Sequence, residues 1–96
     1  MTEPNKSVRV LVRGRVQGVS FRATTAQRAF ELGVNGWVRN RSDGGVEAHF
    51  EGLEASVDAL VMWCEIGSPW SCVEAVSHEN APFEHAADFQ IRIKVV

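Results

Sequence analysis

The chain has 96 residues, 45% of them apolar and 23% charged, with a formal net charge of −2. That is the size and balance of one small folded domain and excludes a disordered chain, and no apolar run approaches the ~18 residues of a membrane-spanning helix. The polar start, Met1-Thr2-Glu3-Pro4-Asn5-Lys6-Ser7, lacks the apolar stretch of a secretory signal, so the expectation is a cytoplasmic single domain over 1–96 with residues 1–6 flexible.

Residues 8–13 alternate Val8, Val10 and Val12 with Arg9, Leu11 and Arg13, the pattern of a strand with one buried face. Gly14 to Gly18 break that pattern. From Phe21 to Leu32 a helix is expected, with Ala23, Ala26, Ala29, Phe30 and Leu32 as its apolar stripe and Gly33 as its stop. Gly36-Trp37-Val38-Arg39-Asn40 reads as a second strand. Ser42-Asp43-Gly44-Gly45 is a turn, and Val46 to Glu51 completes a hairpin. Val57, Leu60, Val61 and Cys64 stand at i, i+3, i+4 and i+7, one face of a second helix that Gly67-Ser68-Pro69 ends. Val73 to Ser77 is a weaker strand with room for a bulge, and 78–88 is expected to be a polar loop. Phe89, Ile91, Ile93 and Val95 then alternate with Gln90, Arg92, Lys94 and Val96 as the last strand.

The order is β-α-β-β-α-β with an extra C-terminal strand. Right-handed crossovers put both helices on one face of a mainly antiparallel sheet, an α+β ferredoxin-like sandwich. Such a fold hosts many functions and names none. Cys64 and Cys72 match no metal or redox spacing and are expected in the core, with a disulfide between them the alternative. His49, His78 and His85 show no metal-ligand spacing and are read as structural or surface residues. Trp63 and Trp70 are read as core and boundary residues, and Trp37 as packing in the sheet or at its edge.

The charges divide unevenly along the chain. Residues 1–42 carry eight basic and two acidic side chains (+6), and residues 43–96 carry two basic and ten acidic (−8). The first half therefore offers a positive field to an anion. Within it, Gly14-Arg15-Val16-Gln17-Gly18-Val19-Ser20-Phe21-Arg22 joins a strand to a helix. Glycines let such a loop turn tightly, and its successive N–H groups can line one concavity. The helix start adds unpaired N–H groups and the positive end of its dipole. Arg22, in the first turn, supplies a charged fork suited to phosphate oxygens.

This stretch resembles the signature of the acylphosphatase family. The block Gly36-Trp37-Val38-Arg39-Asn40, followed by Asp43-Gly44 and Val46-Glu47, is similar to that family's second signature, and Gly52 also fits. The resemblance implies a metal-independent and cofactor-free hydrolase of acyl phosphates. It implies that Arg22 binds the phosphate, that the backbone of Arg15, Val16, Gln17, Gly18, Val19 and Ser20 cradles it, and that Asn40 holds the attacking water. The small-molecule acyl phosphate is the expected partner, with inorganic phosphate as product and inhibitor. A monomer is expected, with no nucleic acid and no membrane.

Two departures stand out. Ser20 occupies a position where the family more often has glycine, so its φ must be one that serine can adopt. Ser68-Pro69-Trp70-Ser71-Cys72 departs from the Gly-Pro and small-residue run that the family leads one to expect; its distance in sequence from both signatures leaves the site assignment standing. A nucleophilic role for Ser20 is disfavoured, because no base is evident near it. Arg39 and Arg41 flank Asn40 and by alternation are expected on the opposite face, with Arg15 facing solvent.

The rival readings are binding modules. An RNA-recognition domain shares the element order, and Trp37 and Phe50 could stack bases, but Val46 to Glu51 lacks the basic and aromatic pattern and its acids would repel phosphates. An acylphosphatase-like domain of a larger carbamoyl-handling protein, or a ligand sensor, would keep the fold and change the task.

Overall fold

The computed structural model describes residues 4–96. Seven elements follow in chain order: β1 (Lys6–Arg15), α1 (Phe21–Leu32), β2 (Asn35–Asn40), β3 (Val46–Gly52), α2 (Glu54–Ile66), β4 (Cys72–Asn80) and β5 (Phe89–Arg92). The five strands form one sheet in the order β4-β1-β3-β2-β5. β1 pairs antiparallel with both β3 and β4, β2 pairs antiparallel with β3, and β5 joins β2 in parallel. This is the α+β ferredoxin-like arrangement with its added strand. Lys6 opens β1, and Asn5 bonds to Gly52 through its N–H and to the Glu54 N–H through its side chain. Of the stretch expected to be flexible, Asn5 and Lys6 are thus hydrogen-bonded, while 1–3 lie outside the described residues.

The core lies between the sheet and the two helices. Val8, Val10 and Val12 enter it from β1, Val38 from β2, Val46, Ala48 and Phe50 from β3, and Val57, Leu60, Val61 and Cys64 from α2. Both sets follow directly from the periods of two and 3.6 in the sequence.

Helix α1 departs from its expected stripe. Phe21, Thr25 and Ala29 are its buried residues, whereas Phe30 is 85% exposed and Ala23 faces out. Thr25 enters the core at low cost because its hydroxyl donates to the Phe21 carbonyl at 2.8 Å. That internal bond hid a buried position behind a polar letter. β4 runs to Asn80, longer than expected, and takes in three residues assigned to the loop. As an edge strand it is largely exposed, which is why its apolar pattern is weak. Its expected bulge is present: Arg13 pairs with Ala75 and Gly14 with Val73, leaving Glu74 as the extra residue. β5 is shorter than expected. Its parallel register sets Arg39 beside Arg92, where the strand ends; beyond it the Val96 carbonyl still accepts from the Ser42 N–H at 2.6 Å and the Val96 N–H donates to the Asn40 carbonyl at 3.4 Å.

The sheet's other face is polar yet substantially closed. Trp37 is 3% exposed, with the guanidinium groups of Arg9, Arg39 and Arg92 lying 4.5–5.0 Å from its ring centre. Glu47 receives Arg39 at 2.8 Å and Arg9 at 3.2 Å, and Glu84 accepts the Trp37 indole N–H at 2.9 Å. His49 is fully buried beside Glu51 at 2.7 Å. His78 and His85 are exposed. Cys64 is buried and Cys72 is exposed, and both are free. The expectation that both occupy the core therefore holds for Cys64 alone, because Cys72 opens an edge strand. Trp70, expected at the core boundary, is 77% exposed on the turn after α2.

Candidate active site

The loop between β1 and α1 is anchored by its apolar side chains. Val16 and Val19 are buried in the core, while Arg15, Gly18 and Ser20 face out and Gln17 is half-buried. Gly18 has φ 73°, a conformation in the left-handed region that glycine adopts without penalty. Ser20 has φ 60° and ψ 25°, the left-handed helical conformation in a residue with a Cβ. The serine departure noted in the sequence thus falls on a position where glycine would be unstrained.

Ser20 precedes α1 but makes no side-chain capping bond, and no acidic residue stands in the first turn. The first helical bond runs from the Thr24 N–H to the Ser20 carbonyl at 3.0 Å. The N–H groups before it have no partner within the helix and leave a positive helix end open. Arg22 lies in this turn, half-buried, and donates through Nη1 to the Arg92 carbonyl of β5 at 3.2 Å. Arg92 pairs in register with Arg39, the residue before Asn40.

Asn40 is the last residue of β2. Its Oδ1 is buried and, among the described residues, accepts no hydrogen bond. Just beyond it the β2–β3 turn is closed by the Arg41 N–H on the Gly45 carbonyl at 2.9 Å. Asp43 braces this turn. The Gly45 N–H above all, then Arg41 and Arg13, hold its carboxyl at about 2 against the opposing effect of desolvation. Gln17 ties the loop to the same turn, its Nε2 donating to the Arg41 carbonyl at 2.7 Å and the Gly45 carbonyl at 2.8 Å.

The loop, Arg22 and Asn40 therefore meet at one end of the molecule, joined through Gln17 and through the β2–β5 pair. Arg15 is exposed as expected. Arg39 lies on the Trp37 face and Arg41 pairs with Asp43, so neither competes for the loop. Surface clefts of 260–410 Å³ elsewhere are lined by other residues, such as Asn35, Glu51, Phe83 and His85. No group of three or more His, Cys, Asp or Glu side chains suited to a metal occurs among the described residues.

The turn after α2 is the part that sequence reasoning missed. Arg15 pairs with Cys72, and the Ser68 hydroxyl donates to the Val19 carbonyl at 2.7 Å. The segment 67–72, distant in sequence from both signatures, is a wall of the loop. Only the ladder between β1 and β4 brings it there, and no local signal reports such a pairing.

The family model described as acylphosphatase matches residues 8–91. A curated acylphosphatase from a Synechococcus species is 54% identical over 85 residues, covering 88% of this chain and 90% of that one. One from Rubrobacter xylanophilus is 54% identical over 88 residues, covering 91% and 80%. The solved structure of an acylphosphatase from Coxiella burnetii has a TM-score of 0.89 at 37% identity, with 96% of this chain and 100% of that one covered. With the match spanning the loop, both helices and every strand, the chain belongs to the acylphosphatase family, enzymes that hydrolyse acyl phosphates.

Proposed function

We propose that the chain hydrolyses acyl phosphates to a carboxylate and inorganic phosphate by in-line attack of a water, with Arg22 and the amides of residues 15–20 holding the phosphate and Asn40 orienting the water. The observation that carries the reading is the buried, unpartnered Oδ1 of Asn40, beside a turn that Gln17 binds to the loop. A buried acceptor without a donor is costly, and a water donating to it satisfies that need. Such a water keeps a lone pair free for phosphorus. An amide is not appreciably basic, so Asn40 acts by orientation and not by proton abstraction. The water's proton passes to a phosphate oxygen of the substrate.

Few groups suffice because the leaving group is a carboxylate, stable without protonation at neutral pH. The demand on the protein is to stabilise charge on the equatorial oxygens, which the loop amides and Arg22 do without metal or cofactor. Every group named lies on one chain, so the reading requires no second copy of it. A cytoplasmic setting agrees with two unpaired cysteines, one exposed. Trp37 and Phe50, the side chains that a nucleic-acid reading would stack on bases, are both buried.

The test is phosphate release from acetyl phosphate with a chelator present. Wild type should turn over, inorganic phosphate should compete, and Arg22→Ala and Asn40→Ala should each lose about 10²-fold or more in kcat/KM. Near wild-type turnover in either variant would remove that residue from the mechanism.

A further inference from the structure

We propose that Ser68 is a positioning residue for the phosphate cradle: by holding the Val19 carbonyl, its hydroxyl aims the Ser20 amide N–H at the bound anion. The proposal rests on the reading of residues 15–20 as that cradle.

Ser68 is 3% exposed, and its hydroxyl donates to the Val19 carbonyl at 2.7 Å. Water cannot compete for this bond. Ser68 is itself fixed, because its own carbonyl accepts from the Ser71 N–H at 3.0 Å and the Ser71 hydroxyl at 2.7 Å. The chain contains no cis peptide among its described residues, and in a planar trans peptide the carbonyl and the following N–H point in opposite directions. A Val19 carbonyl turned toward the 67–71 turn therefore sends the Ser20 N–H the other way. Gln17, three residues earlier in the same loop, is bonded to the β2–β3 turn.

The next peptide is set by the same logic. The Ser20 carbonyl accepts from the Thr24 N–H at 3.0 Å and the Thr24 hydroxyl at 2.8 Å, so the Phe21 N–H points out of the helix start. Two successive amides are thus oriented by bonds on their carbonyl sides, leaving the N–H sides for ligand. Ser20 holds a left-handed conformation that a residue with a Cβ does not favour, and such strain persists only where neighbours fix it. The Ser68 hydroxyl is the neighbour that grips the peptide entering Ser20.

The test is amide NMR of the full chain during titration with inorganic phosphate, with acetyl phosphate kinetics alongside. In wild type the Ser20 N–H should be among the resonances that phosphate moves most. In Ser68→Ala that shift should shrink, and phosphate affinity and kcat/KM should both fall about three- to tenfold, the effect of one neutral hydrogen bond. Ser68→Thr, which keeps the hydroxyl, should restore both. Should Ser68→Ala not fold, the wild-type titration and Ser68→Thr decide. A Ser20 N–H left unmoved by saturating phosphate while other loop amides respond would overturn the proposal and spare the cradle. So would unchanged affinity and turnover in folded Ser68→Ala. Wild type that hydrolyses no acyl phosphate, with no loop amide responding, would overturn the cradle and this proposal together.

Discussion

Replacing Ser20 by glycine should stabilise the protein. An L-residue in the left-handed helical region carries a penalty of about 1–2 kcal/mol, from its Cβ and the following carbonyl. Glycine escapes that penalty but brings a more flexible unfolded chain, which costs about 0.5–1 kcal/mol. The Ser20 side chain makes no capping hydrogen bond, so its removal forfeits none. The balance favours Ser20→Gly by about 0.5–1 kcal/mol, which for a domain of this size raises Tm by about 2–8 °C. Ser20→Val is the counterpart, because a β-branched side chain suits φ 60° least, and it should lower Tm. Thermal unfolding followed by far-UV circular dichroism reads both. The reasoning is refuted if Ser20→Gly melts at or below the wild-type temperature, or if the valine variant melts no lower than wild type.

Gln17→Ala should cost about 1–2 kcal/mol in urea unfolding, since it removes two hydrogen bonds to carbonyls of the β2–β3 turn, and kcat/KM should fall because the loop and the Asn40 strand lose their tie. Asp43→Asn should erase part of the acid sensitivity. The carboxyl of Asp43 is held at about 2 in the folded state, below its ordinary value, so its contribution is present above about pH 4 and is lost as pH falls through 2. The stability gap between wild type and Asp43→Asn should accordingly close between about pH 4 and 2, and a gap that stays constant across that window would discard the turn-bracing role. Thiol labelling of the native protein at pH 8 should modify Cys72 quickly and Cys64 only on unfolding, since burial, with a further push from Glu65, raises the Cys64 thiol to about 12; two rapidly reacting thiols would contradict the packing of α2.

The elements that sequence revealed best are those whose environment is one-sided. β1 and α2 each face a single core, and their periods of two and 3.6 placed Val8, Val10, Val12, Val57, Leu60, Val61 and Cys64 correctly. α1 was harder, because Thr25 satisfies its hydroxyl within the helix and Phe30 is carried on the outer side. The edges were harder still. β4 hides little surface, and β5 stops at Arg92 although the alternation in the sequence runs on to Val96. At the site, glycine spacing and the helix start gave Arg22 and the loop a physical case of their own. Asn40 had none in the sequence, where an asparagine before a turn is ordinary; the buried Oδ1 emerges only in three dimensions. Ser68 could not be inferred at all, because its bond to Val19 spans 49 positions and depends on the β1–β4 ladder.

The contact between the Arg22 guanidinium and the Arg92 carbonyl joins residues 70 positions apart. Contacts of such separation form only after the intervening chain has been gathered, so they belong to the slow end of folding. Among the described residues, the strand that carries Arg92 joins the sheet only through its parallel pairing with β2. If Arg22 acts as proposed, turnover of acyl phosphate during refolding should appear no earlier than the docking of β5 on β2.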